Sequence, residues 1–465
     1  MTTQTNGKSQ KSVSSSAGST AGNVEKSGDW SGGDGILPDR EDIRPLFVMM
    51  MTPAFAIIFY HVCAHMSGDF LAFAKLCMSH GFFSTLYAIW PTPWDAQAWK
   101  ILLGYMAFEL TLQKYLPGKT FRASLTLKGN APIYKANGVQ AYLISLGTLL
   151  LLTHFELIRP AVVYDKFGNL LSSMNVFAFL FCTMLLIKGR VAPSSTDSGS
   201  NGSGIYDFYC GMELYPRIFG WDVKMFTKCR FGMMFWAIGP LCFAHKNMEV
   251  NGGVLNLGMA VNVALQLIYV AKFFYWESGY LCRKDTQHDR AGYRICWGCL
   301  VWLPMIYTSH SFYLAENAPE ISTLTAAMLF FVGFLMIFVN YDSDNQRYVF
   351  RQNKGECKIF GKVPRKIVAK YTTDSGDVRT SLLLLDGYWK VSRHFHYVPE
   401  ILASLCWSLP ALNSSLVGPY FYVFYLTILL TDRAFRDDDR CRKKYGKYWG
   451  EYCAQVPYKI IPGLV

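Results

Sequence analysis

The chain has 465 residues, of which 51% are hydrophobic, 16% aromatic and 17% charged. Soluble domains carry about 25% charged residues, so this composition argues against a soluble protein and favours a membrane protein. The net charge of +12 at pH 7 would suit a nucleic-acid binder, but the excess lies in loops between apolar runs. Basic loops mark the cytosolic side of membrane proteins, so we expect no nucleic-acid partner. The 13 cysteines are scattered and form no secreted disulfide framework.

The first part of the chain, residues 1–43, is rich in Ser, Gly and Thr and contains no apolar run. A cleaved signal peptide needs such a run, and low hydrophobicity is typical of disorder. We therefore predict a disordered N-terminal tail.

Apolar runs long enough to cross a bilayer recur through the rest of the chain. They predict an all-α polytopic membrane protein with about ten transmembrane helices. The candidate spans are 46–63, 70–90, 99–116, 139–158, 173–188, 231–246, 254–275, 295–314, 323–340 and 417–431, with a weaker run at 399–412.

This pattern divides the chain after the tail into three regions. We predict a transmembrane bundle over 44–340, a basic cytosolic loop over 341–380 and a C-terminal membrane region over 381–465. Within the loop, the alternating stretches KIVAKYTT and VRTSLLLL predict a short hairpin.

The first polar cluster follows an apolar run, in FFYWESGYLCRKDTQHDRAGY at 273–293. It contains Glu277 and Asp289. Carboxylates at the mouth of an apolar cavity can have a raised pKa and act as proton donors, although a structured loop would account for them equally well. The nearby CWGC, with Cys296 and Cys299, is a lone CxxC and only a weak zinc signal.

Two arginines follow the span that ends near residue 340, in NYDSDNQRYVFRQNK. Arg347 and Arg351 are four residues apart and share one helical face. Planar guanidinium groups bind phosphate oxygens in pairs, so this spacing suits a phosphate. The alternative is that both only mark the cytosolic side.

The segment LLDGYWKVSRHFHYVPEIL, residues 384–402, places Arg393, His394, His396 and Tyr397 at the entrance of an apolar run. Histidines two residues apart point in different directions on a helix, so we expect no metal site.

The charged segment TDRAFRDDDRCRKKYGKYW, residues 431–449, follows the last span. Written as a helix, it places Arg433, Asp437, Arg440 and Lys444 on one face. It either binds something charged or is a salt-bridged juxtamembrane helix with an aromatic belt.

Together these motifs resemble a known family. GYWKVSRHFHY and TDRAFRDDDRCRKKYGKYWGEYCAQVPYKIIPG are similar to the C-terminal region of the sterol reductases, and GMELYPRIF and YKANGVQAY to earlier signatures. VWLPMIY, FRQNKGEC and PYFYVFYLTILLTDR are most similar to members that reduce the C7–C8 double bond. The delta-14 sterol reductases and the lamin B receptor are more distant.

The resemblance implies a multi-pass enzyme of the endoplasmic reticulum that reduces a sterol double bond with NADPH, as in 7-dehydrocholesterol. It implies a cofactor pocket in the C-terminal half, a sterol taken from the bilayer, and association with other enzymes of sterol biosynthesis. The family pattern gives cofactor-binding roles to Arg347, Arg351, Leu384, Trp389, Arg393, His396, Arg433, Asp437 and Tyr445. No Rossmann fingerprint is present to bind the dinucleotide instead.

Reduction of an unpolarised alkene by hydride also requires a proton from a positioned acid. The candidates for this acid are Glu277, Asp289 and Tyr275, with Asp437 completing a proton relay.

Three other functions fit parts of the pattern. One is delta-14 sterol reduction. Another is an isoprenylcysteine-type membrane methyltransferase that uses S-adenosylmethionine, although it needs fewer phosphate-binding cations than this chain carries. The third is sterol binding without catalysis.

Overall fold

The computed structural model describes residues 43–464 except 124, 125, 127, 128, 201, 282–288, 373–377 and 412–417. The predicted tail therefore lies outside the described residues, with the exception of Ile43, which begins the first helix.

Helices form most of the described chain. In chain order they are α1 Ile43–His65, α2 Phe70–His80, α3 Phe82–Ile89, α4 Ala96–Tyr115, α5 Gly138–His154, α6 Val162–Asp165, α7 Phe167–Val191, α8 Gly204–Cys210, α9 Met234–Val250, α10 Leu257–Tyr275, α11 Glu277–Leu281, α12 Tyr293–Trp297, α13 Ser309–Asn317, α14 Thr323–Gln352, α15 Tyr397–Ser408, α16 Phe421–Tyr445 and α17 Lys447–Gln455. Two π-helices span Met225–Met233 and Gly298–Tyr307, and short 3-10 turns span Gly387–Lys390, Leu409–Ala411 and Gly418–Tyr420.

In the part of the chain that the structure describes, six short strands pair as three antiparallel ribbons. The strands are β1 Lys119–Arg122, β2 Ile133–Ala136, β3 Arg217–Ile218, β4 Trp221–Asp222, β5 Lys366–Thr372 and β6 Val378–Leu384. The all-α prediction is therefore corrected to a mainly helical fold. The predicted hairpin is confirmed as β5–β6, whose register runs from Lys366 opposite Leu384 to Thr372 opposite Val378.

Among the described residues, four helices are long and apolar enough to cross a membrane, namely α1, α7, α10 and α14. On α14, Leu324 and Phe331 are 69% and 66% exposed, as expected of a face that contacts lipid. On its opposite face Gly333 is buried, and a Cβ there would lie 2.6 Å from Leu265. The absence of a side chain lets α14 approach α10 closely.

Three predicted segments differ from the observed elements. The run 70–90 is two helices, because Gly81 adopts φ +82° between them. The run 295–314 falls on α12, a π-helix and α13 in succession. The boundary at 340 lies inside α14, because the polar residues up to Gln352 continue the helix. The loop that follows is shorter than predicted.

Side-chain caps fix where the two helices nearest the candidate site begin. Asn256 accepts a hydrogen bond from the backbone of Gly258 at 2.7 Å and starts α10. Ser322 accepts one from Thr325 at 3.1 Å and starts α14. Such caps satisfy backbone N–H groups that a helix leaves unpaired. Because the caps fix where the helices begin, they also fix the positions of Tyr269 along α10 and of Arg347 along α14.

The C-terminal region has its own small core. Ala369 and Leu383 of the hairpin pack with Trp449, Tyr452 and Val456 of the last helix and its end. The chain then returns to residues 393 and 394, whose backbone N–H groups donate to the carbonyls of residues 458 and 459 at 3.0 and 2.8 Å. This return fixes the segment that carries Arg393 and His394.

Candidate functional site

A cation and an indole meet at the polar end of α14. The Arg347 guanidinium lies 4.0 Å from the centre of the Trp389 ring and 3.6 Å from the Asp344 carboxylate. Trp389 is buried, donates to the carbonyl of Ser343 at 2.9 Å and packs in one cluster with Leu384. The arginine is thus held over a rigid aromatic wall.

One turn further along α14, Arg351 continues this basic face. It is exposed and interacts electrostatically with Arg347, Asp437 and Tyr445. The Tyr445 hydroxyl donates to Ser381 of β6 at 3.3 Å. Arg351 therefore lies where α14, α16 and the hairpin meet, and its cofactor-binding role stays a prediction.

The two histidines of the 393–397 segment line the same region. The His394 ring stacks on Tyr397 with centres 5.1 Å apart, and its Nε2 lies 4.0 Å from the Asp437 carboxylate. The His396 ring lies 5.1 Å from Trp389.

Arg393 points into the C-terminal core rather than toward solvent. It is 8% exposed, lies 3.5 Å from Asp438 and contacts Cys453. Asp438 also accepts from the Trp449 indole at 3.0 Å. This arrangement makes Arg393 a residue that positions its segment.

Helix α16 supplies the acidic and basic side chains opposite α14. Asp437 contacts Arg440, and Arg433 is half-buried one turn earlier on the same helix. We call the residues of this region, from Arg347 to Tyr445, the cation cluster. Its members are Arg347, Arg351, Leu384, Trp389, Arg393, His394, His396, Arg433, Asp437 and Tyr445.

The buried His394 should make stability depend on pH. Burial lowers the pKa of His394 to about 4 from the usual 6.5; the nearby Asp437 carboxylate opposes this shift, and the positive charges of Arg347 and Arg393 add to it. Because the pKa of His394 is lower in the folded than in the unfolded protein, keeping this histidine neutral stabilises the fold, and the stabilisation is complete above pH 6.5. This stabilisation is lost as pH falls toward 4, by up to about 3 kcal/mol.

We expect His394→Gln to make the thermal midpoint of unfolding less dependent on pH between 6.5 and 4. His154→Gln is the control, and an unchanged slope in His394→Gln would contradict the assignment.

A small cleft of about 40 Å³, partly open to solvent, adjoins the cation cluster. It is lined by Tyr269, Lys272, Phe273, Trp276, Tyr280, Asn340, Tyr341, Asp344 and Glu400. Two of these residues connect it to the cluster. Asp344 pairs with Arg347, and Asn340 donates to the carbonyl of His396 at 2.9 Å.

A phenol, a carboxylate and an ammonium converge in this cleft. The Tyr269 hydroxyl donates to Glu400. The Lys272 ammonium lies 4.1 Å from the centre of the Tyr269 ring and donates to Asn340 at 2.6 Å. A hydroxyl bonded to a carboxylate beside a cation is a suitable arrangement for proton transfer.

The predicted proton donors lie in different surroundings. Tyr275 is 72% exposed, with its ring 6.1 Å from Tyr341. Glu277 is buried in an ion pair with Arg230 at 2.8 Å. Asp289 pairs with Arg294 at 2.9 Å. None of these three side chains lines the described cleft, whereas Asp437 belongs to the cation cluster.

Tyr269, Lys272 and Glu400 are not among the residues that the sequence motifs predict for the site. One signal was present in the sequence, since Lys272 interrupts an apolar run, where a charge usually faces the protein interior or a cavity. The sequence carries no signal that Tyr269 and Glu400 lie together, because they are 131 positions apart in the chain.

Comparison with known proteins places the chain in a family. Residues 41–465 match the family described as ergosterol biosynthesis ERG4/ERG24. The chain belongs to this sterol reductase family. The predicted resemblance is confirmed, and the family's members are oxidoreductases of sterol and lipid metabolism.

Several individual relatives align with most of this chain. The chain is 49% identical to 7-dehydrocholesterol reductase of Arabidopsis thaliana over 425 residues, which are 90% of this chain and 96% of the relative. It is 36% identical to 7-dehydrocholesterol reductase of Xenopus laevis over 80% and 82% of the two chains. It is 31% identical to Delta(14)-sterol reductase of Methylotuvimicrobium alcaliphilum over 80% and 84%.

Proposed function

We propose that this reductase uses NADPH to reduce the C7–C8 double bond of a 5,7-diene sterol in the endoplasmic reticulum membrane. The observation that carries the proposal is the contact between the cation cluster and the cleft through Asn340 and Asp344. An anionic cofactor and an apolar substrate need two such adjoining surfaces. The 49% identity to a plant 7-dehydrocholesterol reductase favours C7 over C14.

The donor set of the cation cluster fits NADPH. The dinucleotide carries a diphosphate and a further phosphate, and guanidinium groups such as those of Arg347, Arg351 and Arg433 match phosphate oxygens. The face of Trp389 and the ring of Tyr445 offer flat apolar surfaces beside them. When bound, NADPH supplies the hydride that reduces one carbon of the double bond.

The chain's own residues would supply the proton. The Tyr269 hydroxyl transfers its proton to the other carbon of the double bond, forming a C–H bond. The Lys272 ammonium stabilises the resulting phenolate. Glu400, protonated from solvent through the open mouth of the cleft, returns a proton to the phenolate. Asp437 is a second candidate for this relay, through His394.

The other proposed roles follow from the observed contacts. Arg393 and His396 hold the backbone that carries the cluster, through the bonds to Tyr458 and from Asn340, and Leu384 supports Trp389. Glu277 is better suited to an ion pair than to proton donation, since its partner Arg230 is completely buried. Association with other enzymes of sterol biosynthesis stays a prediction.

The direct test is reduction in microsomes that contain the full chain. We expect NADPH-dependent loss of the conjugated-diene absorbance of 7-dehydrocholesterol, with no loss of an 8,14-diene sterol under the same conditions. Reduction of the 8,14-diene alone would assign the enzyme to C14. Saturable sterol binding without reduction of either would leave a non-catalytic sterol-binding protein.

Removal of one cluster cation should weaken cofactor binding selectively. Arg351→Ala removes a guanidinium that would contact phosphate, so we expect the KM for NADPH to rise about tenfold or more, with kcat at saturation much less affected. The measurement is initial rate against NADPH concentration. Arg436→Ala is the matched control, because Arg436 pairs with Asp432 on the exposed face of α16. Equal KM values in the two variants would count against the site.

A further inference from the structure

The core holds two buried polar side chains that lack hydrogen-bond partners. His310 is 0% exposed and Trp407 is 1% exposed. Within the described part of the chain, neither ring nitrogen of His310 nor the indole nitrogen of Trp407 has a partner. Their ring centres lie 6.1 Å apart. Buried polar atoms are rarely left unpaired, so three such atoms on neighbouring rings point to a partner other than the described residues.

These atoms share an aromatic region with the proposed proton donor. The Trp407 ring lies 5.4 Å from Tyr269, and the His310 ring lies 5.7 Å from Tyr422. Tyr422 in turn lies 5.8 Å from Trp236. Flat aromatic faces of this kind suit a flat, rigid hydrocarbon.

The closeness of this pair to Tyr269 also fits a sterol. Ser311, next to His310, donates to Asn262 of α10 at 2.7 Å. Trp407 accepts from the same Asn262 at 2.6 Å through its carbonyl, and its ring lies 5.4 Å from the ring of Tyr269. Rings A and B of a 5,7-diene sterol share a bond, so a ring-A hydroxyl held at His310 and Trp407 keeps the ring-B double bond near Tyr269.

We propose that His310 and Trp407 form the subsite for the 3β-hydroxyl group of the substrate. This inference rests on the proposed sterol reduction and adds how the substrate is oriented. A neutral imidazole donates at one nitrogen and accepts at the other, and the indole donates. A hydroxyl both donates and accepts, so it can satisfy the two side chains. Anchoring this end places ring B beside Tyr269.

The test compares 7-dehydrocholesterol with its 3-deoxy analogue, cholesta-5,7-diene, using the full-length enzyme. We expect the wild type to prefer the hydroxysterol in kcat/KM by about tenfold to a hundredfold. His310→Phe should lower kcat/KM for the hydroxysterol by a similar factor relative to the deoxy analogue, so that the preference disappears. Trp407→Phe should reduce it in part.

Controls separate this proposal from the proposed function and from misfolding. Ser309→Ala, which removes a hydroxyl bonded to the carbonyl of Ile306, should keep the preference. NADPH binding should be unchanged in the His310→Phe and Trp407→Phe variants. If the His310 variant does not fold, the Trp407 variant decides. Equal use of both sterols by the wild type, or an undiminished preference in folded variants, overturns the subsite alone. No turnover of either sterol by the wild type contradicts the proposed function instead.

Discussion

Tyr269→Phe should reduce sterol turnover by about 10²- to 10⁴-fold, the usual contribution of a positioned acid. The change removes one hydroxyl, the one that donates to Glu400. It keeps the ring that packs against Trp236 and Trp407 at 5.0 and 5.4 Å. The fold and the KM for NADPH should therefore be retained. The measurement is kcat for loss of diene absorbance at saturating NADPH.

The matched control for this variant is Tyr275→Phe. Tyr275 lies on the same helix, six residues later, but is exposed. We expect turnover close to that of the wild type, because its hydroxyl does not line the described cleft. A Tyr269→Phe enzyme with full turnover would remove Tyr269 as the donor. Loss of turnover only in Tyr275→Phe would support the assignment made from the sequence.

The contrast between these two tyrosines marks what sequence reasoning can locate. Tyr275 stood out because it adjoins Glu277 in a visible polar cluster. Tyr269 stands within an apolar run, and only the packing of α10 against α15 brings Glu400 to it. The sequence gives no signal for His310 and Trp407 either, because packing between distant segments brings them together. Periodicity shows which face of one helix is polar, but not which residue of a distant helix meets it.

The cation cluster could be predicted because its signals are local. Arg347 and Arg351 share a face through helical spacing alone, and the hairpin follows from alternation. The position at which α14 ends has no such local signal. Polar residues after 340 suggested a loop, but the helix continues to Gln352, and its polar part packs against distant residues such as Trp389, which donates to the carbonyl of Ser343.

Glu277→Gln should destabilise the protein by about 3–5 kcal/mol, the usual cost of breaking a buried ion pair. Arg230 is 0% exposed and lies 2.8 Å from the carboxylate. Arg230 also donates to Asn137 at 2.6 Å. Without the Glu277 carboxylate, the buried guanidinium keeps its charge but loses its ion-pair partner. We expect a lower thermal midpoint of unfolding in detergent, measured by near-UV circular dichroism.

The double variant Arg230→Met with Glu277→Leu separates this role from proton donation. Removing both charges eliminates the unpaired guanidinium, so a large part of the lost stability should return, and reductase activity should return with it. A proton donor could not be rescued in this way, because neither methionine nor leucine carries a transferable proton. If stability returned while turnover stayed below that of the wild type, the Glu277–Arg230 pair would have a role in turnover beyond stability, and Glu277 would again be a candidate acid.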